Sequence, residues 1–297
     1  MPPLTKKEER LLAYGSAEDF YSYLYPHGTL RRSEPTSNDP ADIVGVRNDY
    51  WNLYAYGNEV KIVYFKQGII RHKPRRAQAF RAPKDTSAEA DNARFAQSIS
   101  RSKARVFEIA MCNEFTHFCT FTQDQKKRDR FNITEFRKDF AMFVRNLNRG
   151  RSDEQKIKYL LVPEKHRNGA WHMHGLLMGL NDGDLRLFTL SEKLPQGIRN
   201  QLKKGENVYN WEKYQGKFGY FTCTDVKEQS ACARYITKYI CKDLSKGVRE
   251  CGAHLYFASQ GLKGREVVVK HSFDECPITE GWDFENDYIK IKTIKLS

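Results

Sequence analysis

Between residues 170 and 180 the chain reads AWHMHGLLMGL, which places two imidazoles one residue apart inside an apolar run. If this run is a strand, its side chains alternate, so His172 and His174 point to one face while Trp171 and Met173 point to the other. Two rings about 7 Å apart along the backbone can converge on one ion. Glu164 ends the segment KIKYLLVPE on the far side of the turn KHRNGA and can project onto the same face. Two imidazoles and one carboxylate leave positions on a divalent ion open to a substrate oxygen and to water, whereas a structural metal site would fill its coordination sphere. The competing reading is that both histidines are hydrogen-bonded sheet residues, because His-x-His pairs arise often. His166 lies in the turn and is read as a bystander.

A second group of reactive side chains sits in SACARYITKYICKDLSK. On a helical wheel of about 100° per residue, Tyr235, Lys238, Tyr239, Lys242 and Lys246 fall on one face, and Ala233, Ile236, Ile240 and Leu244 on the other. The aliphatic stripe accounts for the core-facing side and leaves the tyrosines and lysines exposed or facing a site. Packing is the ordinary role of a tyrosine pair four residues apart, and segregation from the apolar stripe weighs against it here. A phenol with a pKa of about 10 is ionised only about once in a thousand molecules at neutral pH, so a nucleophilic tyrosine needs help. A lysine one turn away can supply it electrostatically. Histidines and tyrosines then describe one reaction. A phenolate attacks a phosphodiester whose nonbridging oxygen is polarised by the ion, and a phosphotyrosine link replaces the broken strand. That link conserves the bond energy, so rejoining needs no nucleotide cofactor, and no GxxxxGK[ST] loop is present.

These residues need strands and a helix to hold them. FTHFCTFT, Phe115 to Thr122, alternates and carries β-formers, and KIKYLLVPE and WHMHGLLMG read as two strands joined by a turn containing Asn-Gly. Between them, Asn132 caps a helix with Glu135 as capping-box partner. Phe136, Phe140, Phe143, Val144 and Leu147 recur at helical spacing before Gly150, so one face of that helix packs on a sheet. GYFTCTDV, AHLYFAS and REVVVK read as further strands, and residues from about 87 to 113 as a helix. Upstream, DYWNLYAYG opens the first compact element and GNEVKIVYFKQGIIRH alternates as a hairpin. Arg71 to Asp85 is a basic segment, either solvated or in contact with phosphate. Residues 181 to 229 are mixed and show no clear period.

Composition narrows the partners. The formal net charge of +13 and pI near 9.3 favour a polyanion, nucleic acid before an anionic membrane surface. Seven cysteines form no CxxC pair, and their odd number cannot close completely into intrachain disulfides, so reduced thiols are expected. The N-terminal MPPLTKKEERLLAYG lacks the apolar run of a signal peptide, and no stretch of about 18 apolar residues occurs, so a soluble intracellular protein is expected.

Three segments taken in order resemble the HUH endonucleases, and within them the two-tyrosine rolling-circle replication initiators of small phages and plasmids. FCTFT (118–122) is similar to the family's first strand motif, WHMHGL (171–176) to its histidine-hydrophobe-histidine signature, and YITKYICK (235–242) to its two-tyrosine motif. The resemblance implies an α+β fold with a central five-stranded antiparallel sheet flanked by helices. It further implies that His172, His174 and Glu164 hold Mn²⁺ or Mg²⁺ and that Tyr235 and Tyr239 are the nucleophiles, with Lys238 and Lys242 contacting or neutralising phosphate. The substrate would be single-stranded DNA at a replication origin, nicked to leave a 5′-phosphotyrosine and a free 3′-OH, with host helicase and polymerase as partners and the host cytoplasm as location. The tyrosine spacing does not reveal which attacks first. On this reading residues 1–105 form an N-terminal extension, 106–270 the catalytic domain with an insertion at about 181–229, and 271–297 a tail. A mobilisation relaxase or a single-strand transposase of the same fold, or a non-catalytic basic DNA-binding regulator, are the alternatives.

Overall fold

The segment YWNLYAY buries Tyr50, Asn52, Tyr54 and Tyr56 and leaves the intervening Trp51, Leu53 and Ala55 half-exposed, the period of two that a strand with one covered face imposes. A computed structural model of the protein describes residues 43–47, 49–66, 69–72, 88–166, 168–181, 183–240, 254–272 and 274–296. Its elements begin with strands β1 (Ile43–Arg47), β2 (Tyr50–Tyr56), β3 (Glu59–Phe65) and β4 (Ile69–His72) and helix α1 (Ala88–Met111). There follow β5 (His117–Thr122), α2 (Ile133–Leu147), β6 (Lys158–Lys165), β7 (Trp171–Met178), β8 (Arg186–Leu187), α3 (Gln196–Lys203) and β9 (Val208–Asn210). The series ends with α4 (Glu212–Lys217), β10 (Phe221–Asp225), α5 (Gln229–Thr237), β11 (Phe257–Ala258), β12 (Glu266–Ser272), β13 (Phe284–Glu285) and β14 (Ile289–Lys295). The class is α+β, and among the described residues every strand pairing is antiparallel.

The described residues divide into two compact units, one within 102–264 and the other made of the described residues up to 101 together with those from 265 onward. The second unit holds a five-stranded sheet in the order β12-β2-β3-β14-β13, together with the β1–β4 pair. The hairpin expected inside GNEVKIVYFKQGIIRH lies one strand earlier. β3 folds back on β2 across Gly57–Asn58, where Gly57 adopts φ +56°, and β4 pairs with β1 instead. A left-handed backbone angle is available to glycine without a Cβ clash, so Gly57 supplies the sharper turn.

The first unit carries the seven-stranded sheet β11-β6-β7-β5-β10-β9-β8, where a central sheet of five strands was expected. Two-residue strands β11 and β8 and three-residue β9 extend its edges, and β9 and β8 arise from the stretch whose sequence shows no period. One face of this sheet packs against α2. Asn132 Oδ1 accepts from the Glu135 backbone N–H at 3.0 Å, and the Asn132 amide lies 3.5 Å from Glu135 Oε2, which fixes where the helix starts. The buried side of α2 presents Ile133, Phe136, Phe140, Phe143 and Val144. Phe140 meets Phe121 and Tyr159 edge-on, with ring centroids 5.1 Å apart in each case, and Phe143 meets Trp211 at 5.2 Å. Burial of each such ring stabilises the fold by about 2–3 kcal/mol, and the edge-on geometry adds to that. With that face filled by aromatics, the opposite face of β5, β6 and β7 is the one that carries the histidines.

Candidate functional site

Two strand pairings assemble the site. Between β6 and β7, Glu164 lies directly opposite His172 and Val162 opposite His174; between β5 and β7, Thr122 lies opposite His172 and Thr120 opposite His174. Because all three strands share the period of two, Glu164, His172, His174, Thr120 and Thr122 emerge on one face. The β6–β7 turn closes with His166 N–H donating to Ala170 O and Gly169 N–H donating to His166 O, each at 2.8 Å, and Gly169 sits at φ +85°. Gly175 is required by its surroundings, since a Cβ there would lie 2.2 Å from Leu161 Cδ2 and 2.9 Å from Leu160 O.

Within this face His174 Nε2–H donates to Glu164 Oε2 at 2.6 Å, a diagonal contact across the strand pair. His174 Nδ1 is hydrogen-bonded to Thr120 Oγ1 at 3.2 Å, and His172 Nδ1 to Thr122 Oγ1 at 2.9 Å. His166, read from sequence as a bystander, stacks its ring on that of His172 with centroids 3.7 Å apart. Burial, reinforced by neighbouring His166, His174 and Arg130 and opposed by Glu164, lowers the pKa of His172 to about 4, so this ring is neutral at physiological pH. For Glu164 burial acts to raise the pKa. The hydrogen bond from His174 and the proximity of His174, His166 and His172 outweigh it and hold the carboxyl below its ordinary range.

The tyrosines approach the same face from α5. Gln229 at the start of that helix anchors it by donating to Ala110 O at 2.6 Å and Asn113 O at 2.7 Å. Ala233, Ile236 and Ile240 are fully buried, while Tyr235, Lys238 and Tyr239 are half-buried, the segregation expected from the wheel. The regular helix ends at Thr237, earlier than that wheel requires. Lys238, Tyr239 and Ile240 continue through hydrogen bonds to Tyr235, Ile236 and Thr237, three residues back, a tighter turn that places Tyr239 off the ideal α-helical position. The two tyrosines still meet. Their rings are 5.4 Å apart and perpendicular, and the Tyr239 hydroxyl donates to that of Tyr235 at 2.8 Å. Tyr239 stacks on His174 at 3.8 Å, Tyr235 packs edge-on against Phe118 at 5.1 Å, and Lys238 Nζ lies 5.3 Å from the centre of the Tyr235 ring. Lys242, Leu244 and Lys246 lie outside the described residues, as do residues 73–85 of the basic segment.

The structure thus brings together Glu164, His172, His174, Tyr235, Lys238 and Tyr239. Among the described residues no three His, Cys, Asp or Glu side chains are placed so that they could together hold a metal ion, and Glu164 and His174 are hydrogen-bonded to one another. The donor types nonetheless suit a divalent ion, with one half-buried carboxylate next to two imidazoles whose Nδ1 atoms are occupied by hydroxyls. Thr120, Thr122 and Phe118 were not singled out by the sequence as site residues. The signal for them was present in FCTFT, whose alternate positions match the period of the histidine pair.

Residues 116–244 match the family model of Replication-associated protein ORF2/G2P. This is a family of rolling-circle replication initiators, in agreement with the resemblance carried by the three sequence motifs. The matched stretch includes β5, β6, β7 and α5, and with them each site residue named from sequence, Lys242 included. No curated protein and no solved structure matches the chain. No helix among the described residues is long and apolar enough to cross a membrane.

Proposed function

We propose that this protein is a replication initiator that nicks single-stranded origin DNA with a tyrosine nucleophile and later rejoins the strand. The observation that carries the reading is the stacking of Tyr239 on His174, with Tyr235 hydrogen-bonded to Tyr239, inside the stretch that matches a replication-associated family. Tyrosine hydroxyls beside a carboxylate–imidazole set are what a transesterification at phosphorus needs, and a purely structural sheet face does not call for them.

His172, His174 and Glu164 would hold Mn²⁺ or Mg²⁺, which when bound supplies Lewis-acid polarisation of a phosphate oxygen. The protein's own residues do the rest. Tyr235 or Tyr239 gives up its phenolic proton and attacks phosphorus; the P–O3′ bond breaks as the Tyr–O–P bond forms, and the 3′ oxygen leaves and takes up a proton. Lys238, whose Nζ lies 5.3 Å from the centre of the Tyr235 ring, favours the phenolate. The hydrogen bond between the hydroxyls lets either oxygen act while the other donates to it. With two nucleophiles, one tyrosine can hold the first strand while the other cuts the next, and attack by the free 3′-OH on the phosphotyrosine reverses the first step. The chain's charge of +13 supplies the sequence-independent attraction for the DNA backbone.

A second reading is that the histidines serve only packing, since both nitrogens of His174 already have partners, Thr120 and Glu164. In that case the protein is a DNA-binding regulator. His172→Ala and His174→Ala separate the two. On the nickase reading each variant loses divalent-ion binding and single-strand cleavage while DNA binding persists; unchanged cleavage in both would remove the histidines from the chemistry, and a wild-type chain that binds DNA with neither ion binding nor cleavage would leave only the regulator.

A further inference from the structure

We propose that Thr120 and Thr122 are positioning residues that select Nε2 of His174 and His172 as the metal-binding atoms. The inference rests on the metal-assisted reading above and adds to it the residues that set the ligands' tautomer.

The observation is a register match. β5 carries Thr-x-Thr and β7 carries His-x-His, and the antiparallel pairing sets Thr120 opposite His174 and Thr122 opposite His172. Each hydroxyl reaches the same atom of its own ring, Nδ1, at 3.2 Å and 2.9 Å. A neutral imidazole carries one N–H and one lone pair, and the partner of one nitrogen decides which role the other takes. Where the threonine oxygen accepts from Nδ1–H, the lone pair is left on Nε2, so both rings offer the same atom as a ligand, and in His174 that atom already faces Glu164. Threonine suits the task because its β-branched side chain has few rotamers on a strand, which fixes the oxygen's position.

A hydroxyl also has an advantage over a carbonyl or a carboxylate at this position, since it can donate as well as accept. With His174 Nε2–H donating to Glu164, a neutral ring has Nδ1 as the acceptor and the Thr120 hydroxyl as the donor. An ion held by Nε2 would require that hydrogen to leave to solvent and a proton to be taken up from solvent at Nδ1, and Thr120 would become the acceptor by rotating its O–H. At the Nδ1 contact only the hydroxyl hydrogen has to rotate. Thr120 therefore supports both states of the ring. Val has nearly the same shape and supports neither.

The test uses the full-length chain in four forms, wild type, Thr120→Val, Thr122→Val and the Thr120→Ser/Thr122→Ser double variant. Mn²⁺ binding is measured by titration calorimetry, and histidine tautomers are read by long-range ¹H–¹⁵N NMR with and without Mg²⁺. Each Val variant is expected to bind Mn²⁺ about tenfold more weakly, with the Ser double variant near wild type. In the Mg²⁺-loaded wild type both His172 and His174 should carry hydrogen on Nδ1. Val variants that bind Mn²⁺ as tightly as wild type, or an Nε2–H tautomer at His172 in the Mg²⁺-loaded wild type, would overturn the proposal and leave the metal site standing. A wild-type chain that takes up no Mn²⁺ would instead remove the metal reading, and this inference with it. The NMR measurement on wild type decides the matter even if a Val variant fails to fold.

Discussion

The ring of Tyr239 lies almost parallel to that of His174, 14° from coplanar with centroids 3.8 Å apart. The contact joins the end of α5 to the third strand of a seven-stranded sheet and brings together two side chains 65 positions apart in the chain. A π-stack at this distance holds the tyrosine in place without using its hydroxyl, which remains available to Tyr235. Tyr239 is thereby fixed at the histidines, while Tyr235 is positioned through Phe118 and through Tyr239 itself.

Tyr235→Phe and Tyr239→Phe each keep the ring packing and remove one hydroxyl. Each single variant should cleave single-stranded DNA more slowly than wild type and still form a covalent adduct, with peptide mapping placing it on the remaining tyrosine. Complete loss in one variant and none in the other would establish a single nucleophile.

Stability should fall in acid through the site itself. The folded-state pKa of His172 is depressed to about 4 from its ordinary 6.5, so the unfolded chain binds the proton more readily. The stability this ring contributes is therefore complete above about pH 6.5 and is lost as pH falls toward 4. Glu164, also depressed, adds a loss in the same direction at lower pH. After allowance for solvent screening of a half-buried ring, the His172 contribution is about 2 kcal/mol. Urea unfolding of wild type and His172→Asn at pH 7 and pH 5 checks this, and the variant should show the smaller change.

Gly175→Ala should destabilise the chain by about 1–3 kcal/mol, because the new methyl would meet Leu161 Cδ2 and the Leu160 carbonyl oxygen at the centre of the sheet. The Leu161 side chain can yield and the backbone cannot, so the Gly175→Ala/Leu161→Ala double variant should lose less than the sum of the two single losses. Thermal denaturation of the single and double variants measures it.

Asn132→Ala removes the side-chain cap of α2 and should cost about 1 kcal/mol with no effect on cleavage, since the helix covers the opposite face of the sheet from the histidines. A matching loss of cleavage rate would show that α2 acts on the site.

The site was legible in sequence where a period could be counted. His172, His174 and Glu164 share a face because alternation and one short turn fix the register, and Phe136, Phe140 and Phe143 declare the buried side of α2. The end of α5 was not legible, because a wheel drawn through Tyr239 assumes that the helix continues, and the change to three-residue hydrogen bonds after Thr237 leaves no mark in residue type. Strands β8, β9 and β11 are too short to show alternation, and in AHLYFAS the described strand is Phe257–Ala258, followed by Ser259 N–H donating to Tyr159 O at 3.0 Å. The role of residues 271–297 was also hidden. Their sheet is completed by β2 and β3, more than 200 positions upstream, and pairing over that separation cannot be read from local pattern.

The central claim is tested most directly by incubating the purified protein with labelled single-stranded DNA from its own replicon, with and without Mn²⁺, followed by denaturing electrophoresis. A Mn²⁺-dependent protein–DNA adduct that is absent from the Tyr235→Phe/Tyr239→Phe double variant is expected. No adduct from a wild-type protein that demonstrably binds the same DNA, or an adduct that persists in the double variant, would contradict it.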